Sequence, residues 1–164
     1  MKIKSASESD LEVVMSIIDD ARQLMRKSGN LTQWSNGYPS SEIILDDISS
    51  GHGFVCIEDS LPVGYFCFMH GENPDPNYNV IEAGKWLNDQ PYGVIHRLAS
   101  SGKKRGIAQA AFDFAFSRIS NVRVDTHHDN LPMQRFLRNN QFVYCGIIYV
   151  QDGSPRDAFQ KLIK

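Results

Sequence analysis

Lys103-Lys104-Arg105-Gly106-Ile107-Ala108 is the stretch on which the reading of this chain turns. It follows the apolar run Val94 to Ala99, which reads as a buried strand, and it opens a helical pattern running from about Lys104 to Ile119. The first turn of a helix carries free backbone amides with the helix dipole behind them, so such a turn is an anion site. Glycine at 106 lets a ligand approach the backbone without meeting a side chain. The segment is neither a Walker loop nor a dinucleotide-binding turn, because GxxxxGK[ST] and the spaced glycines are both absent. Between Gln90 and Phe112 there is no acid, while Arg97, Lys103, Lys104 and Arg105 all fall there, which favours an anionic ligand.

Downstream, Gln109, Asp113 and Ser117 form a polar stripe at spacing four in an otherwise apolar helix, so the helix should lie against a sheet with most of its sides covered. Asn121 to Thr126 reads as a strand. Asp129 or Asn130 can cap a following helix with Pro132 in its first turn and Met133, Phe136 and Leu137 inside. Phe142 to Val150 and Ala158 to Ile163 read as two last strands. Upstream, Lys2 to Ala6 is a short strand, and Ser7-x-x-Asp10 opens a helix ending near Ser28-Gly29-Asn30. A second helix covers about Ser41 to Ile48. Gly53 to Glu58 and Val63 to His70 form a hairpin. Gly71 to Pro91, with three prolines, reads as a long loop, and such loops in small domains are often functional. The element order is that of one mixed α/β domain over residues 1–164.

The bulk numbers agree with one domain: 164 residues, 41% of them hydrophobic, can bury one ordinary core. Cys56, Cys67 and Cys145 are scattered and odd in number, so neither a disulfide framework nor a zinc knuckle is expected, and a reducing cytoplasm fits. The N-terminus lacks the apolar core of a signal peptide, and no run is long enough for a membrane span. The net charge of -2 is unevenly spread: residues 1–89 hold 6 Lys/Arg against 14 Asp/Glu, and residues 90–164 hold 11 against 5. An acidic balance without a basic-aromatic motif argues against a nucleic-acid partner.

The order strand, anion-binding turn, buried helix, strand, Asn-initiated helix and long strand resembles the GNAT acetyltransferases, whose Q/R-x-x-G-x-G/A turn holds the CoA pyrophosphate. Lys103 takes the Q/R place, Gly106 that of the central glycine and Ala108 that of the last small residue. The resemblance implies a splayed, mostly antiparallel sheet flanked by helices, with acetyl-CoA as co-substrate between the fourth and fifth strands. It further implies that the backbone of Leu98, Ala99 and Ser100 binds the pantetheine arm, that Lys103, Lys104, Arg105, Gly106, Ile107 and Ala108 hold the diphosphate, and that Asn130 reaches the pantetheine end. The expected activity is direct transfer of an acetyl group to an amine of a small molecule, amino acid or peptide. Two departures stand out. Ser100-Ser101-Gly102 shortens the approach to the turn, and Leu137 occupies the place where many members carry a tyrosine that protonates the leaving thiolate. A non-catalytic acyl-CoA binding module and an unrelated phosphate-binding α/β protein are the alternatives.

For general base the residue types suggest His96, His127 or Glu82, histidine having the right ordinary pKa for such work. Tyr149 or Tyr144 could stand in for the missing acid. Trp34 and Tyr38 lie in the loop between the first two helices and could wall an acceptor pocket together with Glu82. Asp129 with the adjacent His127 and His128 is a poor metal set, since neighbouring histidines point apart, and no metal is expected. The sequence leaves open whether the chain works alone or as a homodimer.

Overall fold

The computed structural model describes residues 1–164. The elements in chain order are β1 (Lys2–Ser5), α1 (Leu11–Lys27), α2 (Ser41–Ser49), β2 (Gly53–Glu58), β3 (Leu61–Gly71), β4 (Tyr92–Ser100), α3 (Ile107–Arg118), β5 (Asn121–Thr126), α4 (Leu131–Asn139), β6 (Val143–Tyr149) and β7 (Pro155–Leu162). The seven strands form one sheet in the order β1-β2-β3-β4-β5-β7-β6. Every neighbouring pair is antiparallel except β4 and β5, which run parallel and pair only at Gly93–Val122 and Val94–Arg123. Beyond those rungs the two strands part. The fold is therefore the mixed α/β architecture with a splayed, mostly antiparallel sheet that the sequence leads one to expect.

Ser7 and Asp10 do form a reciprocal cap, the Ser7 amide donating to Asp10 Oδ2 at 2.8 Å, but over a short 3-10 turn that runs on into α1. Helix α1 buries Val14, Ile17, Ile18 and Ala21 against one face of the sheet, where Ile44, Val55, Tyr65 and Ala99 complete a core. Helices α3 and α4 cover the other face through Phe112, Ala115 and Leu137, packed with Phe66, Val124 and Phe159. Gln109, Asp113 and Ser117 line the exposed side of α3, as their spacing requires. Helix α3 starts at Ile107, three residues later than its pattern suggests, because Gly106 stands at φ +89 and cannot be helical.

On the α1 face, residues 72–91 cross β4, β5, β7 and β6. Tyr78, Tyr92, Val94, Ile148 and Ala158 form a third core beneath them. Trp86 Nε1 donates to the Tyr78 carbonyl at 2.8 Å, and the Leu87 amide donates to Gln160 Oε1 at 2.8 Å. The Arg123 guanidinium lies between the rings of Trp86 and Tyr92, 4.4 and 4.2 Å from their centres, and donates to the Asn88 carbonyl at 2.7 Å. The backbone of Glu82 bridges Ile147, and a Cβ at Gly84 or Gly146 would collide with the carbonyl of Cys145 or Glu82. The long loop of the sequence is thus a packed segment with its own 3-10 turn, Pro76–Asn79. No helix is long and apolar enough to cross a membrane.

Candidate active site

A cleft of about 610 Å³ opens where β4 and β5 part. Ile95, Leu98, Phe112 and Val124 line its depth. At its mouth the α1–α2 loop contributes Trp34 and Tyr38, the 72–91 segment Asp75, and the β6–β7 turn Gln151 and Asp152. A cleft of this size that combines apolar walls with converging polar and charged groups suits a small-molecule site.

One irregularity of β4 populates the mouth. Between the pairs Cys67–His96 and Tyr65–Ala99, β4 holds one more residue than β3, and Arg97 absorbs it at φ +52. Tyr92, Val94 and His96 alternate on the α1 face up to that bulge. After it, Arg97 and Ala99 take over the same face, so His96 and Arg97 point to one side.

His96 lies between two carboxylates. Its Nε2 is 2.7 Å from Asp75 Oδ2, and its Nδ1 is 3.8 Å from Asp125 Oδ2. Asp125 Oδ2 also accepts from the hydroxyl of fully buried Tyr78 at 2.6 Å. Burial and then the charges of Asp125 and Asp75 push that phenol well above its ordinary pKa, so it stays a donor. Burial alone would raise the Asp75 carboxyl, but the His96 hydrogen bond and charge, the Asn77 amide and Arg97 hold it below the ordinary 3.8. Asp75 is therefore ionised at neutral pH and can only accept, which puts a proton on His96 Nε2. In neutral His96 the basic atom is then Nδ1. The same three side chains offer ligand atoms close enough to share a cation, although His96 Nε2 is already engaged by Asp75.

The lowered Asp75 carboxyl has a stability consequence. A carboxyl held lower in the folded chain than in the unfolded one stabilises the fold fully above its unfolded pKa of about 3.9 and loses that contribution as pH falls through the folded value. The melting temperature should fall on acidification below about pH 4, and Asp75→Asn should shrink that acid limb in a series of melts across pH.

Arg97 is engaged by α2 and the α1–α2 loop. Its Nε and Nη2 reach Asp47 of α2 at 2.7 and 2.5 Å, Tyr65 donates to the same carboxylate at 2.8 Å, and Arg97 Nη1 donates to the Tyr38 hydroxyl at 3.2 Å.

The other residues singled out from the sequence take these places. Trp34 is buried and Tyr38 half-exposed, and both line the cleft. Glu82 and Tyr149 are exposed, lie away from the cleft lining and bond each other, Tyr149 donating to Glu82 Oε2 at 2.9 Å. That carboxylate raises the Tyr149 pKa and makes it a weaker acid. Tyr144 is exposed on edge strand β6. Leu137 is fully buried in the core under α4. Asn130 lines the cleft, but its Oδ1 caps α4 at Met133 N, 3.2 Å, and its Nδ2 donates to Gln33 Oε1 at 3.2 Å. His127 bonds Thr32 at 3.0 Å and His128 bonds Asp157 at 3.3 Å. Burial and then the Arg156 charge lower the His127 pKa.

Lys103, Lys104, Arg105 and Gly106 are exposed in the turn before α3, with Ile107 anchored in the core. Nothing lies within 4 Å of where a Cβ of Gly106 would be, while the Lys103 amide donates to Ser101 Oγ at 3.2 Å and Lys104 Nζ pairs with Asp59 at 3.4 Å. Leu98, Ala99 and Ser100 lie on β4 past its last rung with β5, Leu98 in the cleft and Ala99 paired to Tyr65 of β3. Asp75 and Tyr78 escaped the sequence reading because they sit in a segment with no periodicity. The one sign that it mattered was its length.

No protein-family model matches the sequence, and a search of curated proteins finds no match. Solved structures do match. An acetyltransferase of the GNAT family from Streptococcus agalactiae 2603 is 34% identical, with 99% of this chain and 95% of that one covered and a TM-score of 0.88. A GNAT-family acetyltransferase from Listeria monocytogenes 4b F2365 shares the fold at 18% identity, 99% and 94% coverage and a TM-score of 0.71. So does a ribosomal-protein-alanine N-acetyltransferase from Brucella melitensis, at 17% identity, 99% and 100% coverage and a TM-score of 0.65.

Proposed function

The chain belongs to the GNAT family of acetyltransferases, and from that premise we propose that it moves an acetyl group from acetyl-CoA to the amine of a small molecule, amino acid or peptide by direct attack. The observation that carries this reading is His96, held between Asp75 and Asp125 at the mouth of the β4–β5 splay. The site's chemistry suits a CoA thioester: an exposed turn at the start of α3 with Lys103, Lys104 and Arg105 for phosphates, and apolar side chains of the cleft for the arm.

Acetyl-CoA supplies an activated acyl carbon, and the chain's own residues prepare the amine. Asp75 and Asp125 draw an ammonium to the mouth of the cleft. His96 Nδ1 takes its proton, and the imidazolium so formed has a carboxylate at each nitrogen. The amine nitrogen then bonds the acyl carbon as the carbon–sulfur bond breaks, and the extra proton left on that nitrogen passes through water to the departing sulfur. Leaving as a thiolate of pKa about 8.5 costs only some 2 kcal/mol relative to the thiol at pH 7, so water can supply the proton where Leu137 replaces an acid. The binding-module reading rests on Leu137 alone, whereas the Asp75–His96–Asp125 cluster has no purpose in it.

Calorimetry with acetyl-CoA tests the donor half. The parent should bind, and Gly106→Val should weaken binding at least tenfold, since a branched side chain would both crowd the space where phosphates approach the turn and resist the left-handed conformation. Unchanged affinity in a variant that melts like the parent would move the phosphate site elsewhere. Binding without transfer to any amine would favour the non-catalytic module.

A further inference from the structure

Arg156 lines the cleft, and no carboxylate lies within ion-pair distance of it. Its Nη1 donates to Ser154 Oγ at 3.1 Å and to the Pro155 carbonyl at 2.9 Å, which leaves Nε and Nη2 without a protein partner. The two acids nearest along the chain are engaged elsewhere: Asp157 with His128 at 3.3 Å, and Asp152 with the amide and hydroxyl of Ser154. Arg97, the other arginine of the cleft, is saturated by Asp47. Arg156 is therefore the cleft's one cation with donors to spare.

The register fixes where this cation stands. Asp125 of β5 pairs with Ala158 of β7, and the next residue of β7 on that same face is Arg156. Backbone positions so related are about 7–8 Å apart, so Arg156 enters the cleft from the strand next to Asp125. Asp125 and Arg156 line the same cleft, so the two charged ends of one small acceptor would meet them within it.

Building on the acetyl-transfer reading, we infer that the acceptor is a small amino-acid zwitterion, its ammonium at Asp75–His96–Asp125 and its carboxylate held by the free donors of Arg156. Arginine suits this, since its planar fork binds a carboxylate through two parallel hydrogen bonds. A peptide N-terminus or a diamine presents no such anion next to its amine.

Acetyl transfer from acetyl-CoA is to be measured on matched acceptors: free amino acids, the same amino acids as carboxamides, and alkyl diamines. The parent should favour each free acid over its carboxamide by about 10- to 100-fold in kcat/KM. Arg156→Gln should raise KM for the free acids by a similar factor and abolish the preference, with affinity for CoA and the melting temperature kept as controls. Carboxamides or diamines acetylated as well as free acids overturn the inference, as does an Arg156→Gln variant that keeps the preference. Those outcomes leave acetyl transfer standing, whereas transfer to no acceptor at all despite tight CoA binding removes both.

Discussion

His96→Ala is expected to lower kcat/KM for the amine about 10²- to 10⁴-fold, the range general-base catalysis supplies, while leaving affinity for acetyl-CoA near that of the parent. The expectation follows from the size of the problem that the base solves. An alkyl ammonium of pKa about 10.4 must lose a proton before it attacks, which costs roughly 4–5 kcal/mol at neutral pH. Departure of the thiolate is the smaller obstacle. Tyr149→Phe, outside the cleft and bonded to Glu82, should change the rate less than about twofold, and the parent rate should rise from pH 6 to pH 8 as less of the acceptor needs deprotonating. Steady-state rates of both variants across that range decide the matter. Equal rates for His96→Ala and the parent would remove His96 as the base.

Asp47→Ala should destabilise the fold by about 3–5 kcal/mol, the loss typical when one member of a buried ion pair is removed. Both partners are well covered, the Arg97 and Asp47 side chains being 14% and 8% exposed, so solvent screens the pair little. Without Asp47, Arg97 keeps its charge in a site where burial disfavours it, and the Tyr65 hydroxyl loses its acceptor. For a chain of this length the melting temperature should fall on the order of 10 °C. Replacing both Asp47 and Arg97 with apolar residues of similar volume should recover much of that loss. A melt of Asp47→Ala within 2 °C or so of the parent would mean that the pair contributes little.

Much of the fold was legible because it is written in periodicity. The helix stripe of Val14, Ile18 and Ala21, the polar stripe of Gln109, Asp113 and Ser117, and the capping residues Ser7 and Asn130 each specify an element locally. The family resemblance came from a short turn, Lys103 to Ala108, whose glycine the structure finds in the left-handed conformation that favours that residue. His96 could be picked out by residue type. Its partners could not, since Asp75 lies 21 residues upstream in a stretch without a repeat, and Asp125 is one of many acids at a strand end. The β4 bulge was equally hidden: nothing in Ile95 to Ala99 announces that two successive side chains will share a face. Tertiary pairing makes those placements, and one sequence does not encode pairing in a local pattern.

The segment 72–91 bears on the mechanics of the sheet. Its two leaves, β1 to β4 and β5 with β7 and β6, are hinged along only two rungs, so their dihedral opening is weakly fixed by the ladder itself. The segment leaves the first leaf at β3, is riveted to the second through Arg123, Asn121, Gln160 and Ile147, and returns to the first at β4. It is a tie-bar across a hinge. The gap between His96 on one leaf and Asp125 on the other is thus spanned by chain outside the ladder, and the same bar carries Asp75 to His96, so bracing and site share one segment.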